Sequence, residues 1–210
     1  MRVAILGGTG SFGRALAVRV LAYGEDEIVI GSRDEARARA AAADLGPGAA
    51  GAQNAEAVRG VDLAVLAVRA DAALETAREV AGPLGTTPLL SVASDIAFAA
   101  DGVRPDPAAV SLAERIQAIV GAPVVAGLHS VAAGHLAEAP PEEDALICGD
   151  DPAAKELALS FADKVVAGRA LDAGPLAGAR TLEGLTAVLV NLNRRYRART
   201  GMAVTGIADA

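Results

Sequence analysis

The stretch Arg2-Val-Ala-Ile-Leu6 is a short apolar run, and the glycine-rich segment Gly7-Gly-Thr-Gly-Ser-Phe-Gly13 follows it directly. The apolar run is typical of a buried strand, and Arg14–Leu21 after the loop has a helical pattern. Three glycines fit the spacing G-x-G-x-x-G, namely Gly8, Gly10 and Gly13. Glycines so placed allow a tight turn, close approach of the backbone to phosphate, and close packing of helix on strand. We therefore predict a loop that holds a dinucleotide pyrophosphate at a helix N-terminus, rather than a plain glycine-rich turn.

A second apolar run, Ile28-Val-Ile30, ends in Gly31-Ser-Arg33, where a site for NAD usually carries an acid that binds the ribose 2′-hydroxyl. A carboxylate there would repel a 2′-phosphate, whereas the Ser32 hydroxyl and the Arg33 guanidinium suit a phosphate dianion. Arg37 is expected on the same helical face as Arg33 and adds charge. These residues favour NADP over NAD. The alternative is that Ser32 only caps a helix and that both arginines are solvated.

Composition limits the classes of protein that remain. The chain has 210 residues, which fits one large domain or one domain with a small addition. Its net charge is −7 and its aromatic content is 2 %, which argues against nucleic acid as a partner. The single cysteine, Cys148, excludes an internal disulfide and a metal site of several cysteines. The chain enters a strand at once and has no apolar run of about 18 residues, so we expect a cytoplasmic protein without a membrane span.

Strand-like and helix-like segments alternate as far as Gly127. Such alternation with apolar strands predicts an α/β fold, a Rossmann-type doubly wound parallel sheet covered on both faces. Gly46 is placed to end the second helix, and Ser111-Leu-Ala-Glu114 has the pattern of a capping box. The expected strands are Val3–Leu6, Glu27–Gly31, Leu63–Val68, Pro88–Val92 and Val124–Ala126, with a weaker one near Ala50–Gln53. The expected helices are Arg14–Tyr23, Asp34–Leu45, Ala55–Arg59, Asp71–Ala81 and Leu112–Val120.

The pattern changes after Gly127. Asp151-Pro152 has the signature of a helix start with proline at the first helical position. The other expected elements are the strands Ala145–Cys148 and Arg169–Asp172 and a final helix from Arg180 to about Arg199. We predict an NADP-binding Rossmann domain over residues 1–127 and a small C-terminal α/β lobe over residues 128–210, which adds an acceptor cleft and dimer contacts.

The chain carries few motifs for acid–base or nucleophilic chemistry. The patterns HExxH and GxSxG are missing, and so is Tyr-x-x-x-Lys, because the only tyrosines are Tyr23 and Tyr196. Hydride transfer between two cofactors needs mainly the positioning of two rings. His129 follows the strand Val124–Ala126, at the edge of the sheet where sites form. It either orients an acceptor ring or is a structural histidine bonded to a backbone carbonyl, and both interpretations stay open.

Four segments match the pattern of a known family. They are Leu6-Gly-Gly-Thr-Gly10 with Gly13, the strand end Ile30-Gly-Ser-Arg33, the turn Leu128-His129, and Leu171-Asp-Ala-Gly-Pro-Leu176 followed by Arg180 and Glu183. With these segments the chain resembles the NADPH-dependent F420 reductases, or F420:NADP oxidoreductases, over nearly its whole length. The closing Asn193-Arg-Arg-Tyr196 is similar to bacterial members.

The resemblance implies NADP in the N-terminal domain, with Thr9 near the phosphates. It implies coenzyme F420 as the second substrate, with its deazaflavin ring over the nicotinamide and direct hydride transfer between nicotinamide C4 and deazaflavin C5. It also implies a homodimer with the C-terminal helices in the interface. The expected cofactor contacts are Gly8, Thr9, Gly10, Ser11, Phe12, Gly13, Ser32, Arg33, Arg37, Val68, Arg69, Val131 and Ala133, with His129 as the candidate ring-orienting catalytic residue.

Two places differ from the family pattern, and both are expected to face the second ring. Many members carry Pro-Trp after the fourth strand, where this chain has Arg69-Ala70. Members often have Asn-Pro or a similar proline after the fifth strand, where this chain has Ser94-Asp95. Arg69 suits a phosphate or carboxylate of the deazaflavin tail or of a different acceptor. Two alternatives therefore stay open: an NADPH-dependent reductase of a small carbonyl or imine, and a non-catalytic NADP-binding regulator.

Overall fold

The computed structural model describes residues 1–207, except for the side chains of Ala133 and His135. The strands in this part of the chain are β1 Arg2–Leu6, β2 Glu27–Ser32, β3 Ala49–Gln53, β4 Leu63–Leu66, β5 Leu89–Ser91, β6 Ile96–Ala99, β7 Gly102–Pro105, β8 Val124–Gly127, β9 Ala145–Gly149 and β10 Ala170–Asp172. The helices are α1 Ser11–Leu21, α2 Glu35–Leu45, α3 Asn54–Ala57, α4 Ala70–Leu84, α5 Leu112–Gln117, α6 Ala133–Leu136, α7 Pro152–Asp163 and α8 Ala179–Tyr196. A 3₁₀ turn, Leu176–Gly178, precedes α8.

The main sheet has eight strands in the order β10-β9-β8-β5-β4-β1-β2-β3. All neighbouring strands pair parallel except β8 and β9, which pair antiparallel. The predicted fold class, a doubly wound α/β sheet, is confirmed. The chain winds outward from β1 to β3 on one side and from β4 to β8 on the other, so the strand order reverses between β1 and β4. The carboxyl ends of these two strands therefore frame the crevice in which such a fold binds ligands.

Alternate residues of the central strands face two separate hydrophobic cores. Val3 and Ile5 of β1 pack with α1, α2 and α7 on one face. Ala4 and Leu6 pack with α4 and α5 on the other face. Both faces of a parallel sheet are buried in this way, which explains why β1 is apolar at every position after Arg2. Most of the buried residues of α2 and α7 are alanine, so the backbones of these two helices approach the sheet closely.

The sheet continues across residue 127, the predicted domain boundary, because β9 and β10 extend it beyond β8. Helix α7 packs on this extension and joins the same hydrophobic core as α1 and α2. The division into a domain over residues 1–127 and a lobe over residues 128–210 stays a prediction. No helix in residues 1–207 is both long enough and apolar enough to cross a membrane.

The antiparallel hairpin of β6 and β7 was not predicted from the sequence, and neither were the short helix α6 and the 3₁₀ turn. Ala99 pairs with Gly102, so the two-residue turn is Ala100-Asp101, and Gly102 begins β7 with φ +143°. Asn191 of α8 holds the hairpin, because its side chain accepts from Val103 N at 2.8 Å and donates to Val103 O at 2.7 Å. The hairpin follows β5 directly and so adds a wall to the crevice at the carboxyl edge of the sheet.

Candidate active site

The glycine loop between β1 and α1 is packed too closely for side chains at three of its positions. Gly7 has φ +83°, and a Cβ atom there would lie 2.6 Å from the Ala67 carbonyl oxygen. A Cβ on Gly8 would lie 2.7 Å from Ile30 Cδ1, and one on Gly13 would lie 2.7 Å from Gly7 O. Gly10 is less restricted, with its nearest contact at 3.3 Å. The residue that needs the left-handed backbone is thus Gly7, which lies outside the predicted spacing.

The helices that follow strands at this edge differ in how their N-termini are capped. Asp34 caps α2 by a carboxylate that accepts a backbone N–H. By contrast, α1 and α4 have no side-chain cap, and the first turn of α1 has no acidic residue. The N-terminus of α1 therefore keeps free N–H groups and a partial positive charge at the crevice. This arrangement suits an anionic group supplied by a ligand.

A cleft of about 770 Å³ runs from the glycine loop to the end of β2, and we call it the Arg33 cleft. Its two cationic side chains at the β2 end, Arg33 and Arg37, are exposed. Neither guanidinium has an ion-pair partner among the described residues, whereas Arg39 of α2 pairs with Glu35 at 2.5 Å. The predicted residues that the cleft brings together are Thr9, Gly10, Ser32, Arg33, Arg37, Val68 and Arg69.

Two details of the Arg33 cleft differ from the sequence-based expectation. Arg33 lies before α2 rather than in it, so Arg33 and Arg37 do not share a helical face, although both line the cleft. The cap of α2 is Asp34, whose Oδ1 accepts from Arg37 N at 3.2 Å. Ser32 instead ends β2, and its Oγ accepts from Asp34 N at 3.2 Å. The Ser32 hydroxyl proton therefore stays free to be donated to a ligand.

A second cleft, of about 680 Å³, adjoins the first, and we call it the Ser94 cleft. The two clefts share one wall, formed by Gly10, Ala67, Val68, Arg69 and Asp71. The Ser94 cleft adds residues from the start of α1, the β5–β6 connection, the hairpin, α5 and α8: Ser11, Phe12, Ser94, Asp95, Phe98, Arg115 and Thr186. A ligand that extends from Arg33 past Val68 therefore reaches a second space large enough for another ring system.

Helix α8 reaches the Ser94 cleft because Glu183 anchors it to α5. The buried Glu183 carboxylate accepts from Leu112 N at 3.0 Å and from Ala113 N at 3.1 Å. Burial raises the pKa of Glu183, although these two N–H groups act against the rise. Thr186 lies three residues further along α8, and its Oγ1 is 2.7 Å from Ser94 Oγ. The anchor thus sets the position of a hydroxyl pair at the cleft.

His129 lies beneath the Ser94 cleft rather than in its lining. It is 5 % exposed, and its Nε2 is 3.3 Å from the Ala93 carbonyl oxygen. Burial lowers the pKa of His129 to about 4, so the ring is neutral and Nε2 carries the donated proton. Leu128 before it has φ +64°, which turns the chain back at the end of β8. This geometry is that of a histidine bonded to a backbone carbonyl, and a role in orienting a ring stays a prediction.

Four other predicted contacts lie at different places. Gly8 and Gly13 shape the glycine loop and do not line either cleft. Val131 is buried in the core, and its N–H donates to Leu128 O at 3.1 Å. The side chain of Ala133 lies outside the described part of the chain. A cofactor contact by these residues stays a prediction.

The chain matches known proteins in sequence and in fold. The family of coenzyme F420-dependent NADP oxidoreductases matches residues 2–95, which include the glycine loop and Arg33. The F420-dependent NADP reductase of Methanothermobacter marburgensis is 34 % identical, with all of both chains aligned. The chain belongs to the F420-dependent NADP reductase family. The reductase of Methanothermobacter thermautotrophicus is 32 % identical over all of this chain and 97 % of its own length. An Arthrobacter sp. FB24 structure proposed to be an F420-dependent NADP reductase has a TM-score of 0.84 at 24 % identity, covering 98 % of this chain and all of its own, and shows the shared fold.

The two places where this member of the F420-dependent NADP reductase family departs from the family pattern both carry ion pairs. Arg69 lies on the shared wall and is 2.6 Å from Asp71, with both side chains exposed. Asp95 lies on the Ser94 cleft and is 2.9 Å from Arg115, with both side chains about one-third exposed. The negative charge expected at Asp95 is therefore compensated within the cleft. The positive charge of Arg69 is also partly used by its neighbour.

Among the residues of the Ser94 cleft that sequence reasoning missed are Phe98, Arg115 and Thr186. The Asp101-Gly102 dipeptide is a turn signal and would have indicated the hairpin that carries Phe98. Arg115 follows the predicted start of α5 by one turn, but its partner Asp95 precedes it by 20 residues. Thr186 is 92 residues from Ser94, and no local pattern indicates such a contact.

Proposed function

We propose that this protein transfers a hydride between NADP(H) and the deazaflavin coenzyme F420. The observation that carries the proposal is the pair of adjoining clefts at the β1–β4 switch point, one with unpaired arginines and one with room for a second ring. When bound, the nicotinamide gives or accepts a hydride at C4 and the deazaflavin does so at C5. The family membership supports this pair of substrates, because the similar proteins are named F420-dependent NADP reductases.

The residues present suit NADP in the Arg33 cleft. The uncapped α1 N-terminus and the glycine loop suit the pyrophosphate, because a backbone without Cβ atoms allows phosphate to approach the N–H groups. Ser32, Arg33 and Arg37 suit the 2′-phosphate, because charge-assisted hydrogen bonds to a dianion are the strong ones. A dinucleotide in this orientation brings its nicotinamide to the shared wall near Val68. The Ser94 cleft then receives the deazaflavin.

The lining of the Ser94 cleft fits a reaction that needs positioning rather than acid–base catalysis. Its charged side chains among the described residues are Arg69, Asp71, Asp95 and Arg115, and they are paired with one another. Reduction of a carbonyl or imine usually requires a positioned proton donor. Transfer between two rings draws mainly on orientation and exclusion of water. The hydroxyls of Ser94 and Thr186 serve that orientation.

The proposal is tested by mixing the purified protein with NADPH and oxidised F420. We expect loss of the deazaflavin visible absorption, and a much slower loss with NADH. A parallel reaction with NADPH and small carbonyl or imine substrates examines the alternative reductase. If NADPH binds in calorimetry but F420 is not bleached at high protein concentration, the proposed function is wrong.

We also infer a homodimer in which α8 contributes to the interface. Val188, Leu192 and Tyr196 are exposed and spaced four residues apart, so they form an apolar stripe along one face of α8. A contiguous exposed apolar patch marks a candidate surface for contact with another protein. Sedimentation equilibrium is expected to give twice the chain mass for the wild type and one chain mass for Leu192→Glu. A monomeric wild type at micromolar concentration would contradict it. The cytoplasmic location predicted from the sequence remains part of the proposal and is checked by cell fractionation.

A further inference from the structure

At the floor of the Ser94 cleft, two hydroxyl groups join the β5–β6 connection to α8. Ser94 Oγ and Thr186 Oγ1 are 2.7 Å apart. Thr186 Oγ1 is also 2.9 Å from the backbone carbonyl oxygen of His129. Both side chains line the cleft, so a ligand there meets the end of a short hydrogen-bond chain.

The direction of this chain follows from counting protons. A hydroxyl has one proton to donate, and a carbonyl oxygen can only accept. Thr186 therefore donates its proton to His129 O and has none left for Ser94. Ser94 must donate to Thr186 Oγ1. The Ser94 oxygen then has only lone pairs to offer, so it acts toward the cleft as an acceptor and not as a donor.

The position of Ser94 is fixed by the same histidine that receives the Thr186 proton. The neutral imidazole of His129 donates from Nε2 to the carbonyl of Ala93, the residue before Ser94. His129 thus holds the β5–β6 connection through its ring and holds Thr186 through its backbone. Because His129 is buried, both contacts are shielded from water and the Ser94 hydroxyl has little freedom to turn.

We propose that Ser94 is a positioning residue that accepts a hydrogen bond from an amide or imide N–H of a ring bound in the Ser94 cleft. The inference rests on the proposed function, because both candidate ligands carry this chemistry. Nicotinamide has a carboxamide NH₂ group, and the pyrimidinedione ring of a deazaflavin has an imide N–H. Because the Ser94 oxygen can accept but not donate toward the cleft, it favours the ring orientation that presents an N–H. It disfavours the flipped orientation that presents a carbonyl. It also discriminates against analogues that lack the N–H.

The experiment compares ligands with and without the donor in four proteins: wild type, Ser94→Ala, Thr186→Val and Thr186→Ser. One arm uses NADP⁺ and its 3-acetylpyridine analogue, in which a methyl group replaces the carboxamide NH₂. The other arm uses F420 and a deazaflavin methylated at the imide nitrogen. Dissociation constants are measured by calorimetry, with kcat and KM where turnover occurs. Thr181→Val is the matched control, because Thr181 is exposed on α8 and lines neither cleft.

In one arm, the wild type, Thr186→Ser and Thr181→Val are expected to prefer the ligand that carries the N–H by about 2- to 12-fold, the range of one neutral hydrogen bond. Ser94→Ala is expected to lose this preference. Thr186→Val is expected to weaken it, since the released Ser94 hydroxyl can turn and donate. The arm that shows this pattern identifies the ring that Ser94 contacts.

Equal ligand preferences in wild type and Ser94→Ala in both arms would overturn the proposal. So would an unchanged preference in Thr186→Val, because the acceptor direction depends on Thr186. The dinucleotide arm measures binding alone and does not need F420 turnover. A positive dinucleotide arm with no bleaching of F420 would therefore reject the proposed function and keep the role of Ser94. Circular dichroism confirms folding, and if Thr186→Val does not fold, Ser94→Ala against the wild type still decides.

Discussion

The two clefts share a wall but differ in whether their charged groups are paired. The Arg33 cleft presents unpaired cations to the solvent, and the uncapped N-terminus of α1 lies at the wall that the two clefts share. In the Ser94 cleft, the charged and hydroxyl groups contact one another, as Asp95 does with Arg115 and Ser94 with Thr186. The Arg33 cleft therefore suits a negatively charged ligand. The Ser94 cleft suits a ring whose orientation is set by which of its groups donate and which accept hydrogen bonds. Charge changes should therefore have strong ligand-specific effects on one side and weak ones on the other.

Lowering the pH is expected to have the largest effect on stability, and this effect comes from the buried His129 on the side of the Ser94 cleft. The pKa of His129 is about 4 in the folded protein against 6.5 ordinarily, so the unfolded chain binds the proton more readily. The contribution of His129 to the free energy of unfolding is complete above pH 6.5 and is lost as the pH falls toward 4. The slope is about 1.4 kcal/mol per pH unit, or about 3 kcal/mol in total. Urea unfolding of wild type and His129→Gln between pH 7 and pH 4 measures it.

The comparison uses slopes, since His129→Gln lowers stability at every pH by losing part of its packing. The raised pKa of Glu183 acts in the opposite direction, because protonation of that buried carboxyl favours the folded state. The Arg169 guanidinium holds the pKa of Asp144 well below its usual range, so that carboxylate stays charged in this window. The two proteins share these groups, and the histidine is what differs. Parallel pH profiles for wild type and variant would show that the buried ring does not control the acid response.

Charge reversal at Arg33 is the next largest test and acts on the other cleft. Arg33→Asp is expected to raise the dissociation constant of NADPH by roughly tenfold to a hundredfold, as for loss of a charge-assisted hydrogen bond of about 1.5–3 kcal/mol. NADH should be affected little, because it has no 2′-phosphate. Fluorescence titration with both dinucleotides measures the ratio. Arg39→Asp is the control, since Arg39 lies on α2 shortly after Arg33, pairs with Glu35 and does not line the cleft. If Arg33→Asp weakened the binding of NADPH and NADH equally, Arg33 would not contact the 2′-phosphate.

The contrast between the clefts also explains what could be read from the sequence. The glycine loop and the Ser32-Arg33 end of the Arg33 cleft come from one continuous segment, whereas its other wall comes from the β4–α4 connection and the start of α4. Local signals fixed these elements, as they fixed the Gly46 end of α2 and the capping box at Ser111. The Ser94 cleft depends on α8 and the hairpin meeting across the fold. The contact of Ser94 with Thr186 spans 92 residues, and the antiparallel pairing of β9 with β8 joins partners such as Gly127 and Ile147 that no short turn connects. Such contacts follow from packing, which a single sequence does not encode as a local pattern.

The smallest expected effect concerns the ion pair of the Ser94 cleft. Asp95→Asn leaves Arg115 as an uncompensated cation, so we expect KM for the anionic F420 to fall about twofold to fivefold at low salt. KM for NADPH should change less, because Asp95 lines the Ser94 cleft and not the Arg33 cleft. Screening by about 0.5 M salt should remove the difference, since exposed charges are screened over a few ångströms at that ionic strength. Asp101→Asn is the matched control, because Asp101 pairs with Arg104 on the hairpin outside both clefts. A tenfold or larger change of KM for F420 with Asp95→Asn would mean that Asp95 contacts the ligand directly. The Ser94 cleft would then bind its ligand through charge, as is proposed for the Arg33 cleft.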